Sequence, residues 1–231
     1  MGKYSKKQFS KFVICKNQFM SKNMLELLNN PDQFLNNDTT HMIQNNFKSK
    51  VGIVQLDSRK IVIKRHNYKS NMHRFRRYFR PTRASRNWRF SKILLDNNIW
   101  VPTPVAFVET RIGPLRGMSY FMYEYVEGLT GKEYFKSKEK SHAKIEYAMN
   151  LVVELMKKIK NLNLIHGDIR MLNLIFKNEK ICLLDLDDIK PMTWYQANRV
   201  KNRDMRGLKK DIYYNIPAAL QKSFLERLES V

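Results

Sequence analysis

Two short stretches hold the residue types needed to move a phosphoryl group. The first is Leu164-Ile165-His166-Gly167-Asp168-Ile169-Arg170-Met171-Leu172-Asn173-Leu174-Ile175, and the second is Leu183-Leu184-Asp185-Leu186-Asp187-Asp188. Phosphoryl transfer asks a protein for positioning and charge neutralisation more than for covalent chemistry. Asp168 is placed to orient an acceptor hydroxyl and take its proton. Asn173 and Asp185 offer hard oxygen ligands to a Mg2+ ion bridging ATP phosphates. His-x-Asp-x4-Asn alone is a weak signal in a chain so rich in Asn. Its setting strengthens it: a long amphipathic stretch precedes it, apolar runs flank it, and Asp185 ends one of them. The bland alternative is a capping Asp, a turn Asn and an end-of-strand Asp. His166 reads as a scaffold residue that packs the loop. Asp187 and Asp188 read either as metal contacts or as solvated carboxylates.

These residues need elements to hold them. Ile145, Met149, Val152, Val153, Met156 and Ile159 recur at the spacing of one buried helix face. Leu172–Phe176 and Ile181–Leu186 read as short strands around the polar turn 177–180, a hairpin that brings Asn173 and Asp185 to one end. Upstream, residues 21–30 read as a short helix stopped before Pro31. Val51–Leu56 and Ile61–Lys64 form a hairpin around Asp57-Ser58. Residues 84–97 are expected to be helical, with Trp88, Ser91 and Leu95 on one side. Strands Val105–Glu109 and Tyr120–Val126 follow, turned by Gly113, Pro114 and Gly117. Gly128 and Gly131 mark a break, and after Pro217 a final helix carries Leu220, Phe224, Leu225 and Leu228. The pattern predicts an α+β architecture of two lobes around a cleft rather than a parallel sheet. Residues 1–127 form the strand-rich lobe with one helix and a basic face. Residues 128–231 form the helical lobe with the catalytic loop, the metal-binding Asp and the terminal helices.

Composition narrows the partners. The 231 residues carry 43 Lys+Arg against 21 Asp+Glu, a formal net charge of +22, while 43% of residues are hydrophobic, enough for a real core rather than a disordered basic tail. Cys15 and Cys182 are too few and too distant for a disulfide framework or a zinc finger, which suits a reduced, cytoplasmic setting. No run approaches the roughly 18 apolar residues of a transmembrane helix. Phe12–Cys15, ended by Lys16, is too short for a signal-peptide core. Charge of this size implies an anionic partner: nucleic acid, membrane surface or phosphorylated substrate. Thirteen cations and no acid lie between Asp57 and Asp96, interleaved with Tyr68, Phe75, Tyr78, Phe79, Trp88 and Phe90. A second basic cluster runs from Arg199 to Lys210, broken by Asp204.

The layout resembles the protein-kinase-like fold, and within it the lipopolysaccharide inner-core kinase family, the Kdo and heptose kinases, over most of residues 50–215. The resemblance rests on Ile61-Val62-Ile63-Lys64, Ser85-Arg86-Asn87-Trp88, Ile99-Trp100-Val101-Pro102-Thr103-Pro104, the hinge-like Tyr123-Glu124-Tyr125-Val126-Glu127-Gly128, and His166-Gly167-Asp168 with Asn173 and Asp185. It implies that Lys64 holds the α and β phosphates and that the backbone at Glu124–Val126 meets the adenine. It further implies that Asp168 is the catalytic base, that Asn173 and Asp185 bind Mg2+, and that Gly52 is the remnant of a phosphate-covering loop. Asn87 stands where the family pattern has a Glu that pairs with the strand lysine. Either another acid such as Glu109 or Glu124 serves Lys64, or the register differs, or activity is low.

The resemblance turns the basic stretch into a docking face for a phosphorylated acceptor in an anionic leaflet, where each Lys or Arg is worth about 1 kcal/mol. The expected activity is ATP-dependent phosphorylation of a heptose or Kdo of the lipopolysaccharide inner core, or of its lipid-linked precursor. The expected site of action is the cytoplasmic face of the inner membrane, with no nucleic-acid partner. A small protein kinase of the RIO type is one alternative, although only about 46 residues follow Asp185. A degenerate kinase that binds nucleic acid is another, set against an intact Lys64, Asp168, Asn173 and Asp185.

Overall fold

The computed structural model describes residues 2–67, 78, 80–137, 141–193 and 197–230, with the backbone alone for 197–203. It divides into two compact units. Unit 1 comprises Met1–Ile93 and Pro102–Tyr125, and unit 2 comprises Leu94–Val101 and Val126–Val231.

Unit 1 is built on seven antiparallel strands: β1 (Lys3–Lys7), β2 (Lys11–Lys16), β3 (His41–Asn45), β4 (Ser49–Leu56), β5 (Arg59–His66), β6 (Pro104–Ile112) and β7 (Leu115–Glu124), in the order β1-β2-β6-β7-β5-β4-β3. Side chains alternate across a strand, so the central strands must be apolar on both faces if both are covered. That is the case here. Cys15, Ile61, Ile63 and Met122 point to one face, under helices α1 (Lys22–Asn29) and α2 (Pro31–Leu35), which add Met24, Leu27 and Leu35. Ile14, Phe107 and Phe121 point to the other, where Ala84 and Trp88 of α3 (Arg83–Asp96) pack, the Trp88 ring 5.8 Å from that of Phe107. Each such fully buried side chain contributes about 1.5–3 kcal/mol. Ser21 caps α1 by accepting from Met24 N, and Thr82 caps α3 by accepting from Ser85 N.

Several expectations shift. The hairpin around Asp57 is longer than expected, and Asp57 turns it in the left-handed region at φ 52°. The buried residues of α3 are Ala84, Asn87, Phe90, Ser91 and Leu94, whereas Trp88 and Leu95 are only half-buried. Two of those residues are polar, so hydropathy aimed part of the face one position too far. Gly117 lies within β7, and the turn after β6 is the tighter Gly113-Pro114. β1 and β3 escaped the sequence reading because every residue of β3, and all of β1 but Tyr4, is exposed or polar. Of the basic stretch, residues 68–77 and Phe79 lie outside the described residues.

Unit 2 is mostly helical: α4 (Gly131–Lys136), α5 (His142–Asn161), α6 (Ala197–Asn215) and α7 (Ala218–Glu229). α4 opens on a capping box, with Glu133 N donating to Thr130 Oγ1 and Thr130 N to Glu133. α5 buries Ile145, Ala148, Met149, Val152, Val153, Leu155 and Ile159, with Leu155 taking the place expected of Met156. β8 (Leu129–Thr130), β10 (Leu174–Lys177) and β11 (Lys180–Leu183) form a small sheet, and β9 (Leu164–Ile165) pairs with β12 (Lys190–Pro191). The turn between β10 and β11 is the two residues Asn178 and Glu179, both at positive φ (47° and 58°), the geometry that keeps a tight hairpin in register.

Candidate active site

The β10–β11 hairpin sets the site. Leu174 faces Leu183, and Leu184 N donates to Asn173 O at 2.8 Å, so Asn173 and the residue before Asp185 are cross-strand neighbours. Asn173 Nδ2 donates to Asp168 O at 2.9 Å, tying the third residue to the same loop. That bond uses the amide nitrogen and leaves Asn173 Oδ1 to act as a hard oxygen donor. Asp185 adopts a left-handed backbone (φ 55°, ψ 68°) and leads directly into a single 3-10 turn, Leu186–Asp188. Such a conformation is uncommon in a non-glycine residue, and here it turns the chain out of β11.

His166 is fully buried. Its Nε2 lies 3.0 Å from Leu184 O, and its Nδ1 accepts from Asp168 N at 3.4 Å. These partners select the neutral tautomer protonated at Nε2. Burial pushes its pKa down, opposed by the charges of Asp204, Asp185 and Asp168 and by the bond to Leu184. The ring is therefore a neutral brace between the two loops, as its scaffold reading expects.

Sequence reasoning missed what holds the loop from behind. Asp204 of α6, 5% exposed, accepts from Gly167 N at 3.0 Å and Ile169 N at 3.4 Å. Two helical turns further, Asp211 accepts from Met171 N at 2.8 Å and takes a two-pronged ion pair from Arg170 at 2.9 and 2.8 Å. Gly207, between them on the same face, lets the helix approach: a Cβ there would sit 2.9 Å from Ile169 O. Gly167 turns at φ 88°, and a Cβ on it would meet the Asp188 backbone at 3.0 Å. The sequence signal was Asp204-x2-Gly207-x3-Asp211, two acids and a glycine on one face of an otherwise basic helix.

The other expected residues lie elsewhere. Lys64 is on β5 in unit 1, half-buried, opposite Val51 and Phe121. Glu124 ends β7; its N donates to Thr103 O, and its carboxylate bridges Arg59 at 3.2 Å. Tyr125 N donates to Lys60 O, and Val126 begins the second stretch of unit 2. Asn87 is buried, with Nδ2 donating to Arg83 O. Glu109 is 1% exposed, accepts from Thr82 Oγ1 at 2.5 Å and pairs with Arg111 at 2.7 Å. Gly52 is not in a turn. It lies mid-strand in β4, where a Cβ would press on Thr40 at 2.6 Å, so close packing accounts for it. The turn that precedes β4 is Asn46-Phe47-Lys48, without a glycine. Among the described residues no three His, Cys, Asp or Glu side chains gather into a metal cluster, and no helix is long and apolar enough to cross a membrane.

Comparison with known proteins agrees with the fold. A solved structure of WaaP in complex with acyl carrier protein superposes with a TM-score of 0.66 at 14% identity, covering 92% of this chain and 88% of that one. The architecture is thus the two-lobed, protein-kinase-like α+β fold, with a strand-rich first lobe and a helical second. A probable serine/threonine-protein kinase, YbdM of Bacillus subtilis (strain 168), is 26% identical over 148 residues, 61% of this chain. The matched region spans 55% of that relative's length. Residues 39–227 match the lipopolysaccharide kinase (Kdo/WaaP) family along their whole length, and the chain belongs to that family.

Proposed function

We propose that this protein is an ATP-dependent kinase that phosphorylates a sugar hydroxyl, on heptose or Kdo, of the lipopolysaccharide inner core at the cytoplasmic face of the membrane. The observation that carries this reading is the hydrogen-bonded loop in which Asp168, Asn173 and the residue before Asp185 are tied to one another and backed by Asp204 and Asp211. In it, Asp168 would orient the acceptor hydroxyl and receive its proton as the oxygen attacks the terminal phosphorus of ATP, while the bond from that phosphorus to the bridging β-phosphate oxygen breaks and ADP leaves. Asn173 Oδ1 and the Asp185 carboxylate are the donors that would hold Mg2+, which when bound neutralises phosphate charge. Lys64 would hold the α and β phosphates, and the backbone of Glu124 and Val126 would meet the adenine. The excess of cations suits an acceptor that is itself phosphorylated and held among anionic lipids.

The likeness to YbdM supports a second reading, transfer to a protein hydroxyl by the same loop. Both are tested by incubating the chain with labelled ATP and Mg2+ in the presence of purified inner-core lipopolysaccharide or of a generic protein acceptor. Label on the inner-core sugar that disappears with Asp168→Ala is the expected result. Label on protein alone favours the second reading. No transfer to either acceptor, with tight and salt-sensitive binding to RNA or DNA, overturns both.

A further inference from the structure

At one end of the unit 1 sheet, two turns lie side by side. Residues 8–10 join β1 to β2, and 113–114 join β6 to β7. Lys11 faces Thr110, Arg111 N donates to Ser10 O at 2.8 Å, and Gly113 N donates to Phe9 O at 3.0 Å. Each turn ends in a large apolar side chain standing in solvent: Phe9 is 76% and Ile112 62% exposed. The Phe9 ring lies over Gly113, the two tips making one apolar point.

The surroundings are cationic. Segments 5–12 and 110–116 contain Lys6, Lys7, Lys11, Arg111 and Arg116 and no acid, and the first acid of the whole chain is Glu26. Not all of this charge faces outward. Arg111 is paired with buried Glu109 and lies over the Phe12 ring, and Lys11 reaches back to the Leu28 and Asn29 carbonyls. Lys6 and Lys7 are exposed and Arg116 is half-exposed. An apolar point ringed by cations matches a partner with an anionic outer layer over an apolar one. It is convex, so it does not enclose a small ligand. A nucleic acid would stack on Phe9 but offers Ile112 no apolar layer.

We propose that the paired tips form a docking edge for an anionic lipid bilayer, with Phe9 and Ile112 entering the interfacial layer and Lys6, Lys7 and Arg116 meeting the headgroups. The inference rests on the reading that the acceptor is membrane-held and names the surface that brings the chain to it. A third exposed apolar side chain, Phe47, is 69% exposed at the β3–β4 turn. It belongs to the opposite edge of the sheet from β1. Phe47 therefore serves as the internal control.

The test is co-sedimentation of the full chain with phosphatidylcholine vesicles, with and without phosphatidylglycerol. The wild type is expected to bind only the anionic vesicles and to release them as salt rises. The double variant Phe9→Ser/Ile112→Ser should partition about tenfold more weakly, while Phe47→Ser binds as wild type. Lys6→Glu/Lys7→Glu, at exposed positions, gives a second variant that should also lose binding should the first fail to fold. Wild-type affinity in both double variants, equal binding to neutral vesicles, or an equal loss in Phe47→Ser overturns the docking edge. Preferential capture by a soluble acidic protein over vesicles overturns it too. Transfer to detergent-solubilised inner-core acceptor, measured alongside, reads the kinase assignment separately: wild type inactive there sinks that assignment whatever the vesicles show.

Discussion

The two units place their carboxylates to opposite ends. In unit 2, Asp204 and Asp211 are nearly buried and accept from backbone N–H groups of the loop around Asp168. In unit 1, the sheet is held by apolar side chains on both faces, and acids such as Glu109, Glu124 and Asp32 pair with arginines. A sheet satisfies its own backbone, so its acids are left for side-chain cations. The irregular loop around Asp168 has no such ladder, and its N–H groups are met by side chains brought from α6. In unit 2 the buried acids therefore mark where irregular backbone has to be fixed, whereas buried Glu109 of unit 1 is met by Arg111 and by Thr82 Oγ1.

The sharpest way to break that contrast is at the chemistry. Asp168→Ala should lower turnover by about a thousandfold or more, while Lys64→Ala should mainly weaken ATP binding, by about tenfold, with thermal stability kept in both. Single-turnover kinetics and nucleotide titration separate the two; equal effects on turnover would blur the contrast. Next is the scaffold. Asp204→Ala orphans two buried donors and should cost about 3 kcal/mol of stability, with turnover falling about a hundredfold because the loop loses its position. The matching deletion in unit 1, Arg59→Ala, removes a solvent-exposed pair and should cost less than about 1 kcal/mol. Denaturant unfolding of both variants checks this, and Asp204→Asn, which keeps an acceptor oxygen, should recover part of the loss.

A smaller effect is expected from acid. His166 has a folded pKa below its ordinary 6.5 because of burial, so the unfolded chain binds the extra proton more readily. Stability from this group is complete above that value and drains away as pH falls through it towards the folded pKa. His166→Gln should flatten that part of the stability profile, and an unchanged profile would mean the ring is not held neutral. The smallest effect concerns the thiols, one in each unit. Burial pushes Cys15 up to about 12 and Cys182 higher still, so neither should react with iodoacetamide at pH 8 until the chain is denatured.

The Asn173–Asp185 hairpin was legible because apolar runs, a polar turn and a fixed spacing all point the same way. The long helix α5 was legible from its period, off only at Met156, where a methionine outranked the shorter route to the core taken by Ala148 and Leu155. The edge strands β1 and β3 were not, since an edge exposed on both faces shows no alternation of polarity. The α3 face was placed correctly at Ser91 but misjudged elsewhere, because Asn87, buried and polar, looks like surface, and the large Trp88 is only half-buried. Asp204 read as an interruption in a basic run, because nothing local says which way a helical carboxylate points.

The sequence by itself determined the residue types of the loop, their spacing and the family, since spacing along the chain is a local property. The tertiary structure alone decided that Asp204, Gly207 and Asp211 stand behind that loop and that Phe9 and Ile112 share one tip. Both pairings join residues some 35 to 100 positions apart, and such contacts are fixed by how elements pack, which no single stretch of chain encodes.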